Sequence, residues 1–193
     1  MTCNYKCLPV NRFEEGSYAI VPYREEDRFL IMKWRNEQID VLRQNRLLTE
    51  ADQDRYYREV VEPSFSEDRP RIILFSYLRD EDCIGYGGLT NIDWDSRRAE
   101  ISFLVDTDRT RDLKVYREDF SVFLRLMKRI AFGALQFNRL FAETFDIRPH
   151  HIRILEDNGF RLEGRMRQHV IIRGRPGDSL IHGCLKEYCD AEG

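Results

Sequence analysis

The sequence has no long apolar run and little cysteine, and each absence excludes a class of protein. No stretch of the 193 residues approaches the roughly 18 to 20 apolar residues that a membrane-spanning helix needs. The five cysteines are an odd number without CxxC spacing, which favours reduced thiols over a disulfide framework or a zinc site. We therefore expect a soluble, cytoplasmic protein with no metal and no membrane partner.

An excess of charge of one sign is also missing. The formal net charge is −3, and acidic and basic residues are mixed along the chain, so we expect no nucleic-acid partner. The composition, 42% apolar and 34% charged, suits a soluble domain with a core. Without a repeat or linker, we expect one domain over residues 1–193, with residues 1–16 as a loose extension.

Hydrophobic periodicity predicts the element order β, α, α, β, β, β, α, β, α, β, β. Residues 17–23 read as a strand that leads into a helix. Thr49 to Asp52 has the form of a capping box before a second helix, which Pro63 ends. Residues 39–48 between these helices fit neither pattern.

The rest of the chain alternates strand and helix patterns. Residues 71–78, 84–94 and 99–105 read as three strands joined by short turns, an antiparallel meander. A long helix with one wide apolar face follows, and residues 139–146 return to strand character. A shorter helix begins near Pro149 and ends at Asn158-Gly159. Two closing strands are predicted around a turn at 174–178.

Four stretches, in this order and spacing, resemble the GNAT family of acyl-CoA-dependent N-acyltransferases. They are KWRNE (33–37), IGYGGLTNIDWDSRRAEISFLV (84–105), HIRILEDNGF (151–160) and LEGRMRQHVIIRGRPGDSLIHGCLKEY (162–188). The similarity is greatest to the branch of ribosomal-protein alanine and nucleotide-amino-sugar N-acetyltransferases. It implies an α/β (α+β) fold with a mixed, mostly antiparallel sheet, flanking helices and a splayed strand pair.

The resemblance also implies that acetyl-CoA, as co-substrate, enters the gap between strands 99–105 and 139–146. Phe103, Leu104 and Val105 would hold the pantetheine, and an N–H near Leu104 would polarise the thioester carbonyl. Thr144 and Asp146 would face it from the opposite strand.

Two positions depart from the family pattern. The loop 106–120 contains none of the glycines with which the family cradles pyrophosphate, so the cofactor candidates there are side chains: Arg109, Thr110, Arg111 and Lys114. The alternative is a solvated charged loop. Leu155 stands where many members have a tyrosine that protonates the thiolate, which leaves Tyr116, Tyr188 or water as proton donor.

Amide formation requires a neutral amine, and Glu100 is the first candidate for the base because it lies on the strand expected to flank the cofactor. The alternative is an ion pair with a neighbouring arginine; Glu143 is the next candidate. Polar residues expected near the acceptor are Arg35, Asn36, Asn91, Asp93, His169 and Asp178.

These residues favour an acetyl-CoA-dependent N-acetyltransferase acting on a small amine, most plausibly the amino group of a nucleotide-linked sugar. Two alternatives stay open: the acceptor is a protein N-terminus, or the chain is a non-catalytic binding module on the same fold. The resemblance also implies a possible homodimer.

Overall fold

Eight strands form one sheet in the order β1-β2-β3-β4-β5-β6-β8-β7. A computed structural model describes residues 4–190, and only the backbone at Cys189 and Asp190. The strands are β1 (Phe13–Glu15), β2 (Tyr18–Pro22), β3 (Ile73–Arg79), β4 (Asp82–Asp93), β5 (Arg98–Val105), β6 (Arg139–Phe145), β7 (Arg161–Ile172) and β8 (Arg175–Leu185).

Helices precede and follow the meander of β3, β4 and β5. They are α1 (Arg28–Glu37), α2 (Glu50–Tyr56), α3 (Glu62–Ser64), α4 (Leu113–Lys128), α5 (Pro149–Asp157) and α6 (Lys186–Asp190). Two π-helical segments, Tyr57–Val61 and Arg129–Ala134, extend α2 and α4. No helix within residues 4–190 has the length and apolar composition that a membrane crossing needs.

The predicted fold class and element order are confirmed, with β1, α3 and α6 in addition; Pro63, expected to end the second helix, lies inside α3. The capping box is present, with the Thr49 side chain accepting from Asp52 N and the Asp52 side chain accepting in return. The predicted final turn is displaced: the chain reverses at Arg173-Gly174, both with positive φ, and β8 already begins at Arg175.

The prediction of a loose N-terminal extension is wrong for the described residues 4–16. The Tyr5 side chain is 1% exposed, and its hydroxyl both donates to the Leu74 carbonyl (2.9 Å) and accepts from the Leu74 N–H (2.7 Å). Phe13 in β1 is also buried. A single buried tyrosine thus anchors this segment to β3, an effect that local composition does not reveal.

The sheet is antiparallel everywhere except between the fifth and sixth strands of its order. β5 and β6 are parallel and pair over only three residues, Arg98–Glu100 with Arg139–Phe141. Beyond that point β5 stays paired with β4 up to Val105, and β6 stays paired with β8 up to Phe145. Since each strand follows its outer neighbour, the two diverge and leave a gap.

Three glycines on β4 allow its neighbours to approach closely. A Cβ atom at Gly85, Gly87 or Gly88 would lie 2.0 to 2.4 Å from a backbone oxygen of β5 or β3. Gly88 also has φ +151°, which side-chain-bearing residues rarely adopt. These glycines therefore shape the meander.

We expect Gly88→Ala to lower the free energy of unfolding by about 3 kcal/mol, because the new methyl group would meet the Ile73 carbonyl at a strained φ. Denaturant unfolding followed by circular dichroism measures this. Gly133→Ala is the matched control, since a Cβ there meets nothing within 4 Å. Equal stability of the two variants would contradict this account of the meander.

Candidate active site

The gap between β5 and β6 exposes backbone groups on one edge of β5. Asp106 N–H donates to the Ile84 carbonyl (2.8 Å), and Val105 lies opposite Gly85 in the register. Because hydrogen-bonded and non-hydrogen-bonded pairs alternate along an antiparallel ladder, the N–H and C=O of Phe103 and Val105 point away from β4, into the gap. The Val105 carbonyl accepts from Gln38 Nε2 at 2.8 Å.

The same alternation corrects one prediction. The N–H of Leu104 points toward Tyr86 on β4 and is used within the sheet. The donor available at the gap is therefore the N–H of Phe103 rather than that of Leu104.

A cavity of about 210 Å³ fills the gap. We call it the inner cavity; its lining includes Glu100, Phe103, Glu143, Thr144, Arg148 and His151. Phe103 stacks on Phe120 of α4 at 4.4 Å between ring centroids, so one wall is apolar and rigid. The structure thus brings together both predicted carboxylates and two predicted cofactor residues.

The two carboxylates share one arginine. Glu100 is 4% exposed and accepts hydrogen bonds from Arg43 and from Asn91 Nδ2 (2.5 Å). The Glu143 Oε2 atom lies 3.6 Å from Arg43, and Glu143 Oε1 lies 3.7 Å from His169 Nε2. Glu143 Oε1 is buried and lacks a hydrogen-bond partner among the described residues. Two acids thus face one guanidinium at this spot, where an amine can approach them, although the lining of the inner cavity as a whole also includes Arg35 and Arg148.

A hydrogen-bonded chain of three residues borders the other side of the inner cavity. Arg148 Nη2 donates to the Tyr116 hydroxyl (2.9 Å), and that hydroxyl lies 2.8 Å from His151 Nδ1. Guanidinium only donates, so Arg148 uses a lone pair of the hydroxyl, and we assign the single phenol proton to the contact with Nδ1. The ring proton of neutral His151 is then on Nε2. His151 stacks on Phe120 at 4.2 Å, which fixes the ring.

Burial keeps this chain uncharged apart from the guanidinium. Desolvation, with help from Arg148 and His182, lowers the pKa of His151 well below its ordinary value. Burial also raises the pKa of Tyr116, although Arg148 opposes the shift. At neutral pH the chain therefore holds a tyrosine, a neutral imidazole and one positive charge.

A second depression continues from the inner cavity. This outer groove has a volume of about 420 Å³ and shares Val41, Arg148 and His151 with the inner cavity. Its other lining residues include Gln38, Thr110, Tyr116 and Pro149. Because they share these three residues, we call the two adjoining spaces together the channel.

The glycine-free loop does not expose its predicted cations as a phosphate cradle. Arg109 donates from Nε and Nη2 to Asp119 (2.7 and 2.8 Å), which is fully buried and also accepts from the Tyr18 hydroxyl. Arg111 pairs with Asp108 at the surface. The Thr110 hydroxyl donates to the Thr107 carbonyl (2.6 Å) and stabilises a turn. Only Lys114, exposed in the first turn of α4, keeps an available cation.

Backbone amides are also occupied at this end. The Asp112 side chain caps α4 and accepts from Lys114 N (2.9 Å) and Val115 N (3.2 Å). The helix N-terminus that ordinarily attracts an anion is thus already satisfied by a carboxylate.

Four residues predicted for the acceptor or the cofactor make contacts within the protein and do not line the inner cavity. Asn36 accepts from Leu48 N and donates to the Leu48 carbonyl, and so holds the end of the α1–α2 loop. Asp93 accepts from Ser96 N in the β4–β5 turn. Asp146, predicted at the cofactor, and Asp178 both pair with Arg165. Their predicted roles toward the two substrates stay predictions.

The alternative proton donor Tyr188 is also remote. Its ring lies 3.8 Å from the Arg161 guanidinium on β7, outside both spaces of the channel. Within residues 4–190, no group of three or more His, Cys, Asp or Glu side chains could hold a metal ion.

Sequence reasoning missed Arg43 and gave no role to Arg148. Arg43 lies in the irregular stretch between α1 and α2, where periodicity gives no direction to side chains. His151 was not among the predicted site residues either, although a signal was present: it lies four residues before Leu155 and so shares its helix face. That spacing marks His151 as the polar residue nearest the missing tyrosine.

Comparison with known families identifies the class of protein that this fold and site define. The sequence profile described as an acetyltransferase (GNAT) domain matches residues 20–181. The chain therefore belongs to the GNAT acetyltransferase family. It is an N-acetyltransferase, and its co-substrate is acetyl-CoA. No curated protein matches the sequence.

Solved structures share the fold at low sequence identity. A spermidine N-acetyltransferase from Vibrio cholerae in complex with CoA and spermine is 16% identical, covers 91% of this chain and 99% of its own, and has a TM-score of 0.77. A GCN5-related N-acetyltransferase from Brucella melitensis is 20% identical, covers 95% and 82%, and has a TM-score of 0.71. Such likeness shows the fold and leaves the predicted branch a prediction.

The two ends of the channel offer different groups to acetyl-CoA. At the acyl and pantetheine end, the free N–H groups of Phe103 and Val105 and the apolar wall at Phe120 match an amide-bearing arm. At the phosphate end, the amides at the start of α4 are occupied by Asp112, and Lys114, exposed in the first turn of α4, is the predicted cation that would be available to the diphosphate.

We expect Arg109→Ala to cost about 3 kcal/mol of folding stability, because it leaves the buried Asp119 carboxylate without its cation. In the folded fraction, the CoA dissociation constant should change by less than about threefold. Chemical denaturation and calorimetric titration measure the two effects.

Arg111→Ala is the control, since its ion pair with Asp108 is exposed and should be worth less than about 1 kcal/mol. A tenfold weaker affinity for CoA at unchanged stability in Arg109→Ala would instead identify Arg109 as a phosphate ligand.

Proposed function

We propose that this protein transfers an acetyl group from acetyl-CoA to the primary amine of a small acceptor held between Glu100 and Glu143. The observation that carries the proposal is the buried Glu143 oxygen without a hydrogen-bond partner, next to the splayed edge of β5. An amine placed there satisfies this oxygen and lies beside the Phe103 N–H. A non-catalytic binding module, the alternative that the sequence left open, would leave this pairing of groups unused.

Glu143 is the base in this proposal. Both oxygens of Glu100 already accept hydrogen bonds, from Arg43 and Asn91, whereas Glu143 Oε1 is available. Glu143 takes the proton lost by the amine as the new carbon–nitrogen bond forms. Glu100 positions Arg43 and contributes negative charge that attracts the amine. The base first expected from the sequence thus becomes a positioning residue.

The N–H of Phe103 stabilises the oxygen on which charge develops, because it points into the gap and has no partner on β4. The carbon–sulfur bond breaks as the amide forms, and the leaving thiolate needs a proton or a hydrogen bond. His151 Nε2–H donates a hydrogen bond to the thiolate at the place where the family has a tyrosine, and the thiolate takes its proton from solvent on release. Tyr116 donates to Nδ1 and so keeps the ring proton on Nε2, while Arg148 donates to the Tyr116 hydroxyl.

The acceptor itself remains a proposal. The sequence favours a nucleotide-linked amino sugar, and the Vibrio cholerae neighbours are spermidine N-acetyltransferases. The small inner cavity, about 210 Å³, favours either over a folded protein terminus. The homodimer implied by the family resemblance likewise stays a prediction.

We expect Glu143→Gln to lower kcat by about 10²-fold, because the amide keeps the shape and cannot take a proton. Its kcat/KM should rise with pH toward the pKa of the acceptor amine, since only the fraction that is already neutral reacts. Release of free CoA, followed with a thiol reagent across a panel of amines, measures both.

Glu163→Gln is the matched control: this glutamate of the edge strand β7 pairs with Arg139 at the start of β6, neither residue lines the channel, and the variant should keep wild-type turnover. Wild-type kcat in Glu143→Gln, with Glu100→Gln inactive, would return the role of base to Glu100. Absence of CoA release with every amine would contradict the proposed function.

A further inference from the structure

Arg35, in the last turn of α1, is a half-buried cation whose contacts are all neutral. Its Nη1 donates to the Tyr86 hydroxyl, and its Nε donates to Gln44 Oε1 (3.2 Å). Among the described residues no carboxylate lies within 4.0 Å of this guanidinium. Three nearby arginines are all paired with carboxylates: Arg43 with Glu100, and Arg46 and Arg55 with Asp52.

A partly desolvated guanidinium without an anion is costly to fold around. Tyr86 and Gln44 orient its planar fork and neutralise none of its charge. The Nη2 group of Arg35 is therefore available to donate a hydrogen bond to a ligand. Positively charged sites of this kind commonly bind carboxylate or phosphate, which match the fork in two places.

The position of Arg35 relates this charge to the acceptor. Arg35 lines the inner cavity and also a side cavity of about 380 Å³, whose lining includes Arg46, Leu48, Asp52, Tyr56 and Tyr86. A molecule whose amine meets Glu143 and extends from the inner cavity toward the side cavity passes this guanidinium. Asp52 there is already engaged by two arginines, and Glu59 is the other acid of the lining.

We propose that Arg35 binds an anionic group of the acceptor, a phosphate or a carboxylate, so that the substrate carries an amine at one end and a negative charge at the other. This rests on the proposed function, because it assumes that the amine binds between Glu100 and Glu143. The inference separates the acceptor classes: an amino sugar phosphate satisfies both ends, whereas a polyamine brings a second cation against Arg35.

Calorimetric titration with three small probes tests the proposal without relying on turnover. Phosphoethanolamine carries a phosphate, β-alanine carries a carboxylate, and ethanolamine carries neither. In the wild-type protein we expect the anionic amines to bind at least about tenfold more tightly than ethanolamine. The anionic amine that binds more tightly shows whether Arg35 prefers a phosphate or a carboxylate.

Arg35→Gln should remove that preference and change ethanolamine binding less than about twofold. Arg35→Lys, which keeps the charge and loses the fork, should retain part of it. Arg55→Gln is the matched control, because this arginine lines the same side cavity but is paired with Asp52. Thermal unfolding midpoints verify that each variant is folded.

Equal or undetectable binding of the three probes to wild-type protein, or an unchanged preference in folded Arg35→Gln, would overturn the inference. The CoA-release assay is read separately. Turnover of uncharged amines without an Arg35-dependent preference would overturn only this inference. Arg35-dependent binding without turnover of any amine would support the anion site and contradict the proposed function.

Discussion

The divergence of β5 from β6 is the constraint on which the rest of this structure depends. Each strand remains paired with its outer neighbour, so they can share only three residue pairs before they separate. Separation leaves N–H groups at Phe103 and Val105 without sheet partners, in a gap that α4 and α5 flank. Glu100 is the last residue of β5 that pairs with β6, and its partner there is Phe141. Glu143 lies two residues beyond Phe141 on β6. The acids therefore stand where the gap begins.

The two ends of the channel are built on different principles. At the acyl end, fixed backbone groups and stacked rings define the space. At the phosphate end, groups that could bind an anion instead stabilise the protein itself. Asp112 accepts hydrogen bonds from the first amides of α4, and Arg109 neutralises the buried Asp119. Affinity for the diphosphate then depends on mobile side chains, and it should be more sensitive to salt than a backbone cradle would be.

Much of the fold could be predicted from the sequence, because strand alternation and the apolar face of α4 reflect a burial pattern that continues through the whole sheet. The capping box at Thr49 is local and was found for that reason. The anchoring of residues 4–16 depends on Tyr5 meeting Leu74, sixty-nine residues away, and no local pattern encodes that contact.

The site was predicted in part, and the division has a physical basis. Glu100, Glu143, Phe103 and Tyr116 lie on regular elements whose faces periodicity reveals. Arg43 lies in a loop, and Asp178 sits in a hairpin where Arg165 and Gln168 engage it. Residue type alone could not decide whether such a charge serves a ligand or a neighbour. Arg109 is an example, because its charge neutralises the neighbouring Asp119.

Amide-resolved hydrogen exchange by NMR, with and without acetyl-CoA, tests most directly the claim that the splayed edge of β5 receives the co-substrate. We predict that the Phe103 and Val105 amides gain protection on binding, whereas the amides of Ser102 and Leu104, already paired with β4, change little. Binding that protects neither Phe103 nor Val105 would contradict the account, because acetyl-CoA would then lie outside the gap.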